Sequence, residues 1–255
     1  MFNDENWQSF LKELVDAEAI DVSSLKLKNK LSEDFWENEK LKPEIADSLY
    51  AIAKEFFQTL QLDPSVLLKD VTLTGSLATF NWSDMSDADV HLILDFTQFD
   101  DVDLMQDYFR QKVRNWNSIH KIMAKGHEVE IYVQDSNEPH YADGVYSISE
   151  DQWLKTPKRY RGDIDYESVK KKAADLMNQI DDVYEYYAER DYKMAHEAAE
   201  GLMDRIKKYR RIGLATDGTN SIENLAFKVL RRNGYIKKLS SLKILSYDKM
   251  MSINY

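Results

Sequence analysis

Residues 71–94 read VTLTGSLATFNWSDMSDADVHLIL, and this stretch decides the fold of the N-terminal half of the chain. Val71–Thr74 predicts a short strand that ends at Gly75-Ser76, because β-branched residues favour strands and glycine permits a tight turn. Ala88–Leu94 predicts a second strand, since apolar residues occupy every second position. The only Gly-Ser pair of the chain and an acidic cluster therefore lie between two predicted strands.

Apolar side chains at helical spacing surround this stretch. They predict helices at Trp7–Leu14, Pro43–Leu60 and Val102–Trp116, and Pro43 suits the first turn of its helix. Two further strands are predicted at Glu128–Val133 and Val145–Ile148. The N-terminal part of the chain is therefore predicted to hold a small mixed sheet flanked by helices.

Beyond about residue 165 the pattern is helical throughout. Apolar residues step by four and three from Val169 to Tyr187, which is the spacing of packed helices, and further helices are marked by Ala195–Tyr209 and Ile222–Val229. We interpret this seam as packing within a helical bundle; dimerisation is the alternative, and the oligomeric state stays open. The predicted fold class is α+β, with one domain at 1–155 and a helical domain at 156–255.

The composition excludes several classes of protein. The 255 residues include 8 glycines, 4 prolines and no cysteine, which excludes a collagen-like chain, a disulfide scaffold and a cysteine nucleophile. The chain has no run of about 18 apolar residues, so no membrane span is predicted. The N-terminus lacks the basic-then-apolar pattern of a signal peptide. We therefore expect a cytoplasmic protein with no membrane partner.

Charge is distributed unevenly along the chain. The formal net charge is −11, yet residues 201–250 carry 12 Lys and Arg against 4 Asp and Glu, which leaves −19 on the remainder. This separation indicates either an anion-binding surface or two halves that attract each other. Lys207, Lys208 and Arg211 are the candidates in this segment for contact with phosphate. The acidic total argues against sequence-independent coating of DNA.

Three acidic residues are candidates for a metal site. Asp87 and Asp89 point to the same face of the second strand, because successive side chains alternate. Two carboxylates at that spacing can bridge two Mg²⁺ ions, which lie about 3.5–4 Å apart in phosphoryl-transfer sites. Glu130, flanked by apolar neighbours, would supply a third carboxylate. Glu128 shares the face of Glu130 and is the alternative to it, and His91 is either a second-shell residue or a structural histidine.

The Gly-Ser pair is the second half of this candidate site. Gly75 would let the backbone approach a triphosphate closely, because it has no Cβ. Ser76 and the start of a following helix would offer hydroxyl and backbone N–H donors to the phosphates. Acid-x-acid pairs are frequent by chance in so acidic a chain, so it is the combination with Gly-Ser that indicates a site.

These residues together resemble the DNA polymerase beta-type nucleotidyltransferase superfamily. Its signature is a hydrophobic residue followed by Gly-Gly or Gly-Ser, a short gap, an acidic pair separated by one hydrophobic residue, and a later acidic residue between hydrophobic ones. Here the motif reads Thr74-Gly75-Ser76, ten residues, Asp87-Ala88-Asp89-Val90, and Val129-Glu130-Ile131. Thr74 departs from the pattern because it is only weakly hydrophobic. The chain is also similar to uncharacterised nucleotidyltransferases of large tailed phages, which would place it in the host cytoplasm.

The resemblance implies an Mg²⁺- or Mn²⁺-dependent transfer of a nucleoside monophosphate from an NTP, with ATP the first candidate, to an acceptor hydroxyl with release of pyrophosphate. Asp87 and Asp89 would hold the metals, and Glu130 would complete the site around the acceptor oxygen. Gly75 and Ser76 would hold the β- and γ-phosphates. The acceptor stays open among a small molecule, an RNA end, a protein hydroxyl and a second nucleotide. The alternative is a non-catalytic regulatory or interaction protein on the same fold.

Overall fold

The computed structural model describes residues 15–253 of the chain. These residues form two compact units. One consists of the described parts of Met1–Val22 and Gly162–Tyr255, and the other is Ser23–Arg161. The helix predicted at Trp7–Leu14 lies outside the described residues.

The division of the chain differs from the predicted one at both ends of the first domain. The first unit boundary follows Val22, since the segment before it belongs with the C-terminal helices. There the backbone N–H of Val15 donates to Oδ1 of Asn178 at 2.8 Å, and a 3-10 turn at Ala17–Ala19 packs on the helix Tyr166–Ala188 that carries Asn178. The second boundary follows Arg161, a few residues beyond the predicted 155.

The unit Ser23–Arg161 is built on two sheets and two helices. The small sheet is a hairpin of β1 (Trp36–Glu37) and β2 (Lys40–Leu41). The helices are α1 (Pro43–Thr59) and α2 (Val102–Ile119), which confirm two predicted helices. The six strands of the large sheet are, in chain order, β3 (Asp70–Thr74), β4 (Ala88–Leu94), β5 (Met123–Ala124), β6 (His127–Asp135), β7 (Val145–Ser147) and β8 (Gln152–Lys155).

The large sheet is mixed, as predicted. Its strand order is β5-β6-β4-β3-β7-β8. Only the central pair β4 and β6 is parallel, and the other neighbours are antiparallel. Parallel neighbours need a crossover connection, which α2 provides between β4 and β6. This crossover brings a strand from later in the chain directly beside the Asp87–Asp89 segment.

The two faces of the sheet differ in polarity. One face supplies buried apolar residues to the core, including Leu73, Val90 and Ile131, which pack with residues of α1 and α2 such as Phe56 and Trp116. Because side chains alternate along a strand, the residues between these apolar ones point to the opposite face. That opposite face carries the polar residues of the motif, so the helices cover the other side of the sheet from the candidate site.

The second unit is a bundle of helices. They are α3 (Tyr166–Ala188), α4 (Tyr192–Thr216), α5 (Ile222–Arg232) and α6 (Tyr235–Met251). Asp165 caps α3, since its carboxylate accepts the backbone N–H of Ser168 at 3.0 Å. The predicted seam of α3 is buried from Val169 to Val183 against α4, α5 and α6 of the same unit. No helix within residues 15–253 is both long enough and apolar enough to cross a membrane.

Candidate active site

The pairing register brings the separate parts of the motif into one row across the sheet. Thr74 of β3 lies opposite Asp89 of β4, and Asp89 lies opposite Glu130 of β6. Paired residues of neighbouring strands point to the same face of a sheet. Asp87 stands two residues before Asp89, directly ahead of β4. Residues 41 positions apart in sequence are therefore neighbours here.

Gly75 continues this row from the end of β3. Its backbone is left-handed, with φ at +73°. A Cβ built on Gly75 would lie 2.8 Å from Cγ of Asp89 and would overlap its carboxylate. Glycine is required here for both reasons, because other residues are strained at positive φ and none has room. The backbone of the Gly-Ser turn thus touches one of the candidate metal-binding carboxylates.

The segment after Gly75 differs from the prediction. Residues 75–81 form turns, so the helix expected to begin after Ser76 is absent from this part of the described chain, and that expectation was wrong. The carbonyl of Ser76 accepts both the backbone N–H and the hydroxyl of Thr79, each at 3.0 Å. This short-range bonding closes a turn where a helix would need bonds four residues apart. Any phosphate donors here come from turn backbone and the Ser76 hydroxyl.

The acidic residues suit a hard divalent cation by chemistry. Asp87, Asp89 and Glu130 are all half-buried, and each has an interaction partner within the chain. Carboxylate oxygens are the ligands that Mg²⁺ prefers. Within residues 15–253, no three acidic or histidine side chains already converge as a metal site. Binding would therefore require these side chains to turn toward one another on a backbone that already sets them side by side.

Glu130 is held by a tyrosine on its own strand. The hydroxyl of Tyr132 donates to Oε2 of Glu130 at 2.5 Å. The Tyr132 ring lies 5.0 Å from the ring of His91, whose Nδ1 is 2.9 Å from Oε1 of Gln134. Burial lowers the pKa of His91, which favours its neutral form. Sequence reasoning considered His91 but missed Tyr132 and Gln134, although both follow Glu130 at every second position of the strand.

Glu128, the alternative to Glu130, has a different partner. It forms an ion pair with Lys121. The hydrogen bond from Lys121 to Glu128 raises the pKa of the lysine, and the charges of Glu130 and Asp87 contribute further. Lys121 is therefore a cation beside the acidic row, and no pattern in the sequence indicates it. Because Glu128 is already ion-paired, Glu130 stays the preferred third carboxylate.

A buried histidine anchors the segment that carries Asp87. His127, at the start of β6, places its Nδ1 2.6 Å from the carbonyl oxygen of Ser86. Its ring also meets Phe35 edge-on at 5.4 Å, and the side chain is almost fully buried. As the carbonyl is an acceptor, Nδ1 must carry the proton and donate. This bond ties the backbone just before Asp87 to the strand that bears Glu130.

The remaining candidates belong to the other unit. Lys207, Lys208 and Arg211 are exposed residues of α4. Between them, the Nε of Arg210 donates to Oδ1 of Asn224 at 3.1 Å, which is a packing role inside the bundle. The five residues Gly75, Ser76, Asp87, Asp89 and Glu130 all lie in the unit Ser23–Arg161.

Comparisons with models of protein families and with curated proteins give no match for this chain. The function must therefore be inferred from the site residues themselves. A row of carboxylates beside a glycine turn can bind a divalent cation.

Proposed function

We propose that the chain is a metal-dependent nucleotidyltransferase that transfers a nucleoside monophosphate from an NTP to an acceptor hydroxyl. One observation carries this proposal: Thr74, Asp89 and Glu130 form a single row in which the backbone of Gly75 touches the Asp89 carboxylate. The row pairs an anionic set of metal ligands with a site of close backbone approach. Phosphoryl transfer needs both, because charge neutralisation and positioning dominate its catalysis.

Asp87, Asp89 and Glu130 are the residues that would hold the cation. When bound, Mg²⁺ or Mn²⁺ would neutralise charge on the triphosphate and polarise the phosphorus that is attacked. Gly75 lets the backbone of the turn lie directly against the Asp89 carboxylate, and Ser76 supplies a hydroxyl beside it. His127 keeps the backbone ahead of Asp87 in register with β6 through its bond to the Ser86 carbonyl.

In the transfer, the acceptor hydroxyl oxygen forms a bond to the α-phosphorus of the NTP. The bond from that phosphorus to the oxygen bridging it to the β-phosphate breaks, and pyrophosphate leaves. We assign the hydroxyl proton to Oε1 of Glu130, because Oε2 already accepts the hydrogen bond of Tyr132. The same bond orients the Glu130 carboxylate.

The direct test is incubation with each labelled NTP and Mg²⁺ or Mn²⁺, alone and with pools of nucleotides, RNA, protein and metabolites. Asp87→Asn, Asp89→Asn and Glu130→Gln should each lower transfer at least about 100-fold, because each removes a charge that neutralises the site. Glu55→Gln is the matched control, since Glu55 is an exposed carboxylate of α1. Turnover that survives in Asp87→Asn and Asp89→Asn, with the same dependence on Mg²⁺, would refute the assignment.

A further inference from the structure

A cavity of about 510 Å³ lies in the unit Ser23–Arg161, and the steps of the proposed transfer assign no role to it. It is bounded by the β1–β2 hairpin, by the residue that immediately precedes α1 and by the turn that follows β3. Its lining includes Glu37, Glu39, Lys42, Phe80 and Arg159. Its volume is within the range of about 300–1,000 Å³ that small-molecule sites occupy.

The wall of this cavity is joined to the turn that begins at Gly75. The indole N–H of Trp36 donates to the carbonyl of Leu77 at 2.8 Å. The backbone N–H of Lys28 donates to the carbonyl of Phe80 at 2.9 Å. Ser76 and Phe80 are four residues apart, so their Cα atoms lie within about 14 Å of each other. A ligand resting on Phe80 is therefore within one small molecule's length of the candidate site.

The lining of the cavity includes an aromatic ring with a guanidinium group over it. The guanidinium carbon of Arg159 lies over the ring of Phe80, 5.1 Å from its centroid. Phe80 is half-buried, so its ring is braced by the core, whereas Arg159 is exposed. Aromatic rings and guanidinium groups both stack on planar rings such as nucleobases, whichever base is present.

The cavity also offers an unpaired cation. Lys42 is half-buried, and it forms no ion pair or side-chain hydrogen bond with any residue in 15–253. A half-buried amine without a partner favours an anionic ligand group. Glu37 and Glu39 are exposed carboxylates on the same lining, and carboxylates accept hydrogen bonds from hydroxyl or amino groups. The lining thus presents a planar surface, a cation and hydroxyl acceptors together.

We propose that this cavity binds the acceptor and that the acceptor is a mononucleotide. Its base would stack on Phe80 and Arg159, its phosphate would meet Lys42, and its ribose hydroxyls would face the carboxylates. This inference rests on the proposed function for the transfer itself. One ribose hydroxyl oxygen would bond to the α-phosphorus of the NTP and its proton would pass to Glu130. The bond from that phosphorus to the bridging oxygen would break and pyrophosphate would leave, so the product would be a dinucleotide joined by one new phosphodiester.

The test separates acceptor binding from NTP binding. Calorimetric titration of AMP, GMP, CMP and UMP is done in EDTA with the Asp89→Asn protein, so that binding through a cation is removed. Adenosine and ribose 5-phosphate test the base and the phosphate separately. Lys42→Gln and Arg159→Met are the variants, both at residues outside the core, and Lys54→Gln on α1 is the matched lysine control.

We expect a mononucleotide to bind in EDTA, about tenfold more weakly in Arg159→Met through loss of stacking and about tenfold more weakly in Lys42→Gln. Lys54→Gln should bind normally, and adenosine and ribose 5-phosphate should each bind more weakly than AMP. Absence of binding by any mononucleotide, or affinity unchanged in both variants, overturns the assignment of the cavity. That result leaves the carboxylate test of NTP transfer intact, so the two proposals fail separately.

Discussion

Gly75 lies directly against the carboxylate of Asp89, in a left-handed backbone conformation that leaves no room for a Cβ. The contact joins the first and second parts of the motif, which are separated by a loop of turns. It explains why residue 75 is a glycine, since any larger residue would displace a candidate metal ligand. It also makes the site sensitive to a single methyl group.

We expect Gly75→Ala to abolish transfer and to lower the free energy of unfolding by about 2–4 kcal/mol, combining positive-φ strain with displacement of Asp89. Gly126→Ala is the matched control, because Gly126 also has a positive φ, +86°, yet a Cβ there would meet nothing within 4 Å. That variant should lose only about 1 kcal/mol and keep its activity. Urea unfolding and NTP turnover measure both, and equal losses in the two variants would contradict the contact.

Tyr132→Phe should lower kcat by about threefold to tenfold with little change in KM for the NTP. The change removes the hydroxyl that donates to Oε2 of Glu130 but keeps the ring that lies beside His91. Steady-state kinetics with the NTP and Mg²⁺ would measure kcat and KM for both proteins. Tyr141→Phe, at a tyrosine that is 86% exposed, is the control. An unchanged kcat would mean that the bond has no part in catalysis.

Lys121→Gln should tighten Mn²⁺ binding by about twofold to fivefold. Lys121 is a cation close to Glu128, Glu130 and Asp87, so its removal leaves a more negative site. Because the Lys121 side chain is largely exposed, the gain in the free energy of Mn²⁺ binding should be about 1 kcal/mol or less. Titration of Mn²⁺ followed by paramagnetic resonance measures the free ion directly. Lys125→Gln changes an exposed lysine of the neighbouring turn and should leave the affinity as it was. Weaker Mn²⁺ binding in Lys121→Gln would contradict this and would show that the lysine helps to hold the metal site.

Stability should fall as the pH is lowered from 7.5 to 5.5. The pKa of His91 is lowered by burial from its ordinary value of 6.5, so below that value the unfolded chain takes up a proton that the folded chain refuses. The contribution is complete above pH 6.5 and is lost below it. Urea unfolding at both pH values should show a smaller loss for His91→Gln than for the wild-type chain. An equal loss would show that other groups carry the pH dependence.

In the helical bundle, Asp181→Asn should cost about 3–5 kcal/mol of unfolding free energy. It leaves the nearly buried Lys238 amine without its carboxylate, and Tyr235 also loses an acceptor. The control is Glu200→Gln, which breaks the more exposed pair with Lys243 and should cost much less than Asp181→Asn. Thermal and urea unfolding of both variants gives the comparison. Similar losses would show that burial of the lysine does not set the cost.

Much of the sheet could be predicted because its central strands carry a strong alternation. The bounds of β4 match the prediction residue for residue, and β3 differs by one. The hairpin β1–β2 and the strand β5 were missed, since strands of two residues have no periodicity to detect. The four-residue strand β8 was also missed. In the site, motif spacing could identify Asp89 and Glu130. The contacts of Tyr132 and Lys121 depend on strand register and on side-chain direction, which no single sequence specifies.

The parallel pairing of β4 with β6 has a consequence for how the chain folds. Thr74 and Asp89 are only 15 residues apart, so their antiparallel pairing closes a short loop. Asp89 and Glu130 are 41 residues apart, and closing that loop costs about 0.9 kcal/mol more in chain entropy. The glycine half of the site can therefore assemble early, as a local hairpin. Glu130 arrives only with the crossover, so a nascent chain that ends before β6 would carry two of the three candidate acids without the third.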